Sequence, residues 1–232
     1  MTRLYVYALV RREPKKLPAR GVGDGALATV ECGELRAVIG TLELAPEVDE
    51  GTLRAHEAVV REVAAQVDAI LPVRFGTLID DAAALTELLE GHSTDLSDAL
   101  ALVAGREQMT LRVFVEGRTR TLSPVPETPS PDEAQAGPGA RYLARLLRAH
   151  RAARSVPEIA ALREALTTLV QAERLESQHH PPLVASVYHL IRRGDGPAYQ
   201  RVVDRAPRLC PEARVTVSGP WPPWAFVPEV LG

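Results

Sequence analysis

Chemistry in this chain would have to start from its histidines, its two cysteines or its glycine cluster. His56-Glu57 stands near the start of a helical pattern, as in a zinc-hydrolase helix. That chemistry needs a second histidine one turn on, and Val60 occupies the place. His56 therefore reads as a packed histidine hydrogen-bonded to a neighbouring loop. His179-His180 precedes Pro181-Pro182, and adjacent imidazoles can hold a metal ion. No third ligand stands nearby, so the pair reads as solvated loop. Cys32 and Cys210 lie far apart in no metal-ligand spacing and read as buried or half-buried thiols of a reducing compartment. Gly21-Val22-Gly23-Asp24-Gly25 is glycine-rich, but no strand leads into it and no helix follows, which argues against a phosphate cradle. G-x-G-x-x-G, Walker, G-x-S-x-G and C-x-x-C patterns are all missing. Carboxylates fall on solvated helix faces and loops. No catalytic residue, cofactor or metal is expected, although a pair assembled only in three dimensions leaves no such trace.

The chain that would carry these groups has 232 residues, enough for one large domain or two ordinary ones. It is 46% hydrophobic and 25% charged, a globular composition. A net charge of −3 supplies no basic field, so neither nucleic acid nor a membrane surface is expected as partner. No run approaches the roughly 18 apolar residues of a membrane span, and the first ten residues lack a signal-peptide layout. The protein is expected to be soluble and cytoplasmic.

Residues 3–10 are apolar on both faces and predict a central strand. Residues 11–24 are rich in proline, glycine and basic side chains and read as an exposed loop. Residues 26–31 and 35–40 predict a hairpin with Gly33 in its turn. Thr52 is expected to cap a helix whose apolar stripe carries Leu53, His56, Val60, Val63, Val67 and Ile70. Leu71-Pro72-Val73-Arg74-Phe75-Gly76-Thr77 then alternates as a strand, with Pro72 fitting an edge and Arg74 as its lone charge. Arg74 is expected to be partly buried and paired with a carboxylate. Asp80 or Asp81 caps a short helix over 82–90, followed by another over 95–104, each ended by a glycine, Gly91 and Gly105.

A strand is predicted over 109–117. Residues 123–139 hold five prolines and two glycines and are expected to be mobile and dispensable for folding. Helices are expected over 139–153 and from Ser155-Val156-Pro157-Glu158 through Val170. A strand over 183–191, an amphipathic helix over 198–208 and a strand over 214–218 complete the pattern. The fold class is α+β in two domains, each a small, mostly antiparallel sheet with helices packed on it. The boundary is placed near Gly105, giving domains 1–105 and 106–232 with an insertion at 123–139. The proline-rich segment itself is the alternative boundary.

Both tryptophans and Phe226 fall within the last twelve residues, stiffened by Pro220, Pro222 and Pro223. Either the tail completes the core, with Trp221 buried, or its aromatics stay exposed to anchor a partner.

Four stretches together resemble the gas vesicle protein GvpL/GvpF family: Tyr5-Val6-Tyr7-Ala8-Leu9-Val10, Gly33 through Ile39, Leu71 through Thr77 preceded by Arg54-Ala55-His56-Glu57, and Ser218 through Phe226. The chain departs from the family's pattern at Gln108, where Glu is usual, and at Trp224, where Tyr is usual. The resemblance implies two α+β domains, the second similar to a modified ferredoxin fold, and one strand of that fold is not evident unless it lies in 174–180. It also implies a gas vesicle assembly protein, an accessory or minor component that contacts the small hydrophobic shell protein and other accessory proteins. On that reading Arg74, Phe75, Trp221, Trp224 and Phe226 are the partner-binding candidates. The competing class is a ligand-sensing regulatory module, since fold does not fix function.

Overall fold

The computed structural model describes residues 2–116, 156–178 and 181–231. The proline-rich segment, the helix expected over 139–153 and His179-His180 lie outside the described residues. Contacts group the chain into two compact units. One holds Met1–Gln108, Leu190–Arg193 and Pro220–Gly232, and the other holds Met109–His189 and Gly194–Gly219.

In the first unit β1 (Arg3–Val10) is the axis of a five-stranded sheet. Its residues Tyr5 to Val10 are all buried, as a strand apolar on both faces requires. β2 (Ala28–Cys32) and β3 (Leu35–Leu42) form the expected hairpin. Cys32 pairs with Leu35, which leaves Gly33 and Glu34 as the turn, and Gly33 takes a φ of 62°. The sheet order is β2-β3-β1-β4, and β5 also pairs with β1.

The stretch expected as one strand is two short ones, β4 (Ile70–Pro72) and β5 (Leu78–Ile79), both antiparallel to β1. The Val73 N–H still donates to Tyr7 O at 2.9 Å, and the Val6 N–H to Thr77 O at 3.1 Å. Residues 74–76 leave the ladder between those bonds and turn at Gly76, whose φ is 87°. The alternation therefore fails: Leu71, Pro72 and Val73 are all buried, and Arg74 is exposed. β4 lies at the sheet edge, where the N–H that Pro72 lacks breaks no ladder. Arg74 makes no ion pair among the described residues, which corrects the expected buried salt bridge.

α1 (Glu50–Ala64) is capped by Asp49 rather than by Thr52. The Asp49 carboxylate accepts from the Thr52 N–H at 2.9 Å, and Thr52 Oγ1 accepts from the Asp49 N–H at 3.3 Å. Val59, Val60 and Val63 bury the helix against Tyr5, Tyr7, Ala8 and Val10. Leu53, placed on the same stripe by periodicity, is 42% exposed. α2 (Ala82–Gly91) starts at Asp81, which accepts from Ala84 N at 2.8 Å, and α3 (Ser93–Val103) follows.

The glycine cluster has a packing explanation. Val22 is buried, and its N–H donates to Tyr7 Oη at 2.7 Å. A Cβ at Gly21 would sit 2.2 Å from that oxygen and 2.8 Å from Leu27 Cδ2.

A second sheet has the order β7-β8-β6-β9, with β6 (Arg106–Phe114), β7 (Val170–Ser177), β8 (Leu183–Arg192) and β9 (Arg214–Trp221). α4 (Ala160–Leu166), α5 (Gly196–Val203) and α6 (Ala206–Leu209) accompany it. The fold is α+β, and this strand order is compatible with a ferredoxin-like arrangement. The helix expected to reach Val170 ends at Leu166, and Val170 opens β7, the strand not evident from sequence. Two consecutive β-branched residues, Thr167 and Thr168, separate the elements and favour the helix poorly. The helix expected over 198–208 is likewise two, α5 and α6.

Gly21→Ala is expected to lower stability by about 1–3 kcal/mol, the usual cost of overpacking. Urea denaturation checks it; an unchanged midpoint would mean that the Tyr7 hydroxyl moves aside freely.

Candidate partner-binding groove

One buried imidazole gathers the conspicuous stretches of the first unit. His56 is 3% exposed. Its Nε2 lies 3.1 Å from Val73 O, and its Nδ1 lies 2.8 Å from Tyr5 Oη. A carbonyl only accepts, so Nε2–H is the donor, Nδ1 accepts, and the Tyr5 hydroxyl donates to it. Tyr5 Oη in turn accepts from the Gly76 N–H at 3.2 Å. Desolvation pushes His56 down to about 4, against the opposing effect of the Val73 carbonyl, so the imidazole is neutral near pH 7. Burial likewise pushes Tyr5 up to about 12, the bond from Gly76 opposing it.

Aromatic rings surround this imidazole. Tyr7 stacks on it at 5.3 Å, while Tyr5 and Phe75 meet it edge-on at 5.6 and 5.7 Å. Trp224 lies tilted at 5.9 Å. The tail brings Trp224 there as part of a 3-10 turn, Trp224–Phe226, whose Ala225 N–H donates to the buried Gln108 Oε1 at 2.8 Å. Pro222 and Pro223 are buried, and Phe226 is 3% exposed. Phe226, not Trp221, is therefore the buried aromatic of the tail. Trp221 is half-buried at the end of β9, with the Arg61 guanidinium 5.5 Å over its ring.

Outside the imidazole the surface forms a groove of about 370 Å³, lined by Leu53, His56, Glu57, Pro72, Arg74, Phe75, Trp224 and Val227. Its walls are mostly apolar, and Arg74 is an exposed cation on them. Glu57 pairs with Arg61, one turn along α1. The structure thus brings Arg74, Phe75 and Trp224 together. Trp221 lines a different groove, and Phe226 is inside. Sequence reasoning missed Leu53 and Val227 as groove residues. A large apolar side chain exposed on α1 is a signal visible only once the helix is docked.

The second unit holds a buried polar cluster that periodicity did not suggest. The Glu173 carboxylate accepts from Arg163 Nε at 3.0 Å and from His189 Nε2 at 2.9 Å. His189 Nδ1 lies 2.6 Å from Tyr199 Oη. Burial would raise Glu173, but the bonds from His189 and Arg163 outweigh it and hold the carboxyl below its usual range. Burial pushes the Tyr199 phenol up. His189 is 1% and Tyr199 0% exposed, so no reactant reaches the imidazole or the hydroxyl, and the cluster joins α4, β7, β8 and α5. Among the described residues no group of His, Cys, Asp and Glu could hold a metal ion, and no helix is long and apolar enough to cross a membrane. Both cysteines are buried free thiols.

The chain is similar to known proteins over nearly its whole length. The profile of the family described as "Gas vesicle synthesis protein GvpL/GvpF" matches residues 3–228. Gas vesicle protein L of Streptomyces sp. (strain CB03234) is 28% identical, over 96% of this chain and 91% of its own. Gas vesicle protein F2 of Halobacterium salinarum is 23% identical, over 99% and 94%. The crystal structure of GvpF from Anabaena sp. PCC7120 superposes with a TM-score of 0.73 at 15% identity, covering 98% of this chain and 97% of its own. That of GvpF from Microcystis aeruginosa gives 0.72 at 16%, covering 97% and 98%. These two likenesses establish the fold.

The depressed His56 pKa has a direction. Unfolded, the imidazole titrates near 6.5; folded, near 4. Its contribution is full above pH 6.5 and is lost as pH falls toward 4, in total about 3 kcal/mol. His56→Gln cannot titrate, so its urea midpoint is expected to fall less between pH 7 and pH 4 than that of the natural chain. Equal slopes would mean that another group carries the acid sensitivity. For the tail, Phe226→Ala is expected to cost about 3–5 kcal/mol, and the half-buried Trp224→Ala clearly less. The two melting temperatures in the reverse order would mean that Trp224 is the structural anchor.

Proposed function

Because this chain belongs to the gas vesicle synthesis protein GvpL/GvpF family, we propose that it assembles gas vesicles by binding their small hydrophobic shell protein and helping to nucleate or escort it. The observation that carries this reading is the groove. An apolar, aromatic-walled trough of about 370 Å³ is open at the place where α1, the 72–75 stretch and the tail converge. Such a trough suits a subunit that would otherwise aggregate, because covering an exposed apolar segment is the whole task and no bond need be made or broken. The reading is thus of a binding protein associated with gas vesicles, not of an enzyme.

Leu53, Phe75, Trp224 and Val227 supply the apolar contact in this reading, and Arg74 orients the ligand by pairing with a carboxylate or carbonyl. Aromatic and arginine side chains at the centre of a patch are the usual carriers of binding energy. Phe226 contributes indirectly, by fixing the segment that presents Trp224. Trp221 lies outside this groove.

The test is co-expression of the tagged chain with the shell protein, followed by measurement of the retained complex. The natural chain is expected to retain it. Phe75→Ala and Arg74→Glu are each expected to weaken retention by about 30-fold, the equivalent of about 2 kcal/mol. Arg74→Glu should leave the melting temperature within a few degrees, because that side chain is exposed. No retention by the natural chain, or undiminished retention by both variants, would remove the groove as the binding site.

A further inference from the structure

Between β3 and α1, residues 43–49 run without helix or strand. This arm holds Leu44 at 80% and Val48 at 79% exposure, the two most exposed large hydrophobics among the described residues. Glu43 and Glu47 flank them, exposed and without an ion pair among the described residues. Asp49 is engaged as the cap of α1, and Glu50 pairs with Arg54. The arm is thus an irregular, proline-containing peptide with two carboxylates outside the cap and two bare apolar side chains, a composition that suits a docking segment.

The first unit also carries a surface of opposite character. A groove of about 190 Å³ lies beside Trp221, with Arg61, Arg106, Arg193 and one carboxylate, Glu107, on its walls and Pro220, Pro222 and Pro223 alongside the ring. Arg61 is paired with Glu57. Arg193 uses one donor on Val67 O at 3.0 Å, and Arg106 uses one on Leu102 O. A guanidinium has five N–H donors, so both keep donors for a further acceptor. A tryptophan among prolines, bordered by three guanidinium groups against one carboxylate, keeps an excess of positive charge that fits an acidic peptide, much as aromatic grooves take proline-containing strands.

We propose that the arm of one copy docks in the Trp221 groove of a second copy, joining copies head to tail. Its own groove is out of the arm's reach. The arm is pinned at Leu42 in β3 and at Asp49, the cap of α1. Arg61 lies twelve residues along that helix, roughly 18 Å beyond the cap. The contact uses different patches on the two partners, so it continues from copy to copy until it closes in a ring or extends as a filament. A contact this small is weak, and its charge pairs make it sensitive to salt.

Sedimentation equilibrium of the full chain tests this. Species above monomer are expected to grow with concentration at about 50 mM salt and to weaken at least tenfold at about 500 mM. The Glu43→Arg/Glu47→Arg chain, altered only on the exposed arm, is expected to lose at least tenfold in association. The Arg61→Glu/Arg193→Glu chain is expected to lose as much. An equimolar mixture of these two variants restores association, because each arm then meets a groove of opposite charge. A synthetic peptide of residues 41–50 is expected to dissociate the natural chain. A chain that stays monomeric at low salt, or association indifferent to both the arm reversal and the peptide, overturns the proposal. If the groove variant fails to fold, the arm variant and the peptide decide alone.

Discussion

The first unit is organised around a neutral imidazole that cannot be left unbonded. A buried polar group without partners costs about 1–3 kcal/mol, and an imidazole has two sites to satisfy. His56 meets both with groups from separate parts of the chain, the Tyr5 hydroxyl and the Val73 carbonyl. Three local structures follow from that demand. The rotation of α1 is fixed, the chain after β4 must hold Val73 O toward the helix, and the turn at Gly76 must return its N–H to Tyr5. The rings of Tyr7, Phe75 and Trp224 then pack around a centre that is already aligned.

This centre explains why the groove is built from distant segments. An apolar trough made from one helix or one strand would be a flat stripe. Here α1, the departure of residues 74–76 from the sheet and the docked tail each supply a wall. The departure also decides the fate of the two neighbours on it. Phe75 turns inward to the imidazole and is half-buried, and Arg74 is left to solvent.

Where one element dominates its own surroundings, the sequence was readable. β1 is apolar on both faces, Gly33 marks a tight turn, and Asp81 stands before a helical period; all appear as expected. His56 as a packed histidine bonded to a loop also holds. Failures arose where a tertiary contact overrode a local period. Alternation over 71–77 predicted one strand, but residues 74–76 leave the ladder, with Val73 O bonded to the imidazole and the Gly76 N–H to Tyr5. Leu162, Leu166, Leu169 and Val170 keep a helical spacing by chance, and the last of them belongs to β7. The Glu173–His189–Tyr199 cluster is spread over three elements and has no linear signature. Trp221 and Phe226 look alike in sequence as tail aromatics; only the docked geometry tells the buried one from the half-buried one.

The tail has a consequence in time as well as in space. Trp224 and Val227 line a groove whose opposite wall carries Leu53, His56 and Glu57 of α1, more than 150 residues earlier in the chain. During synthesis the N-terminal elements emerge first and pack early. At that stage His56 has its hydrogen-bonding partners, yet the trough lacks a wall. It becomes complete only after the intervening chain has been made and the 222–226 segment has docked on Gln108. A nascent chain therefore cannot present the finished trough, which exists only once the first unit has closed.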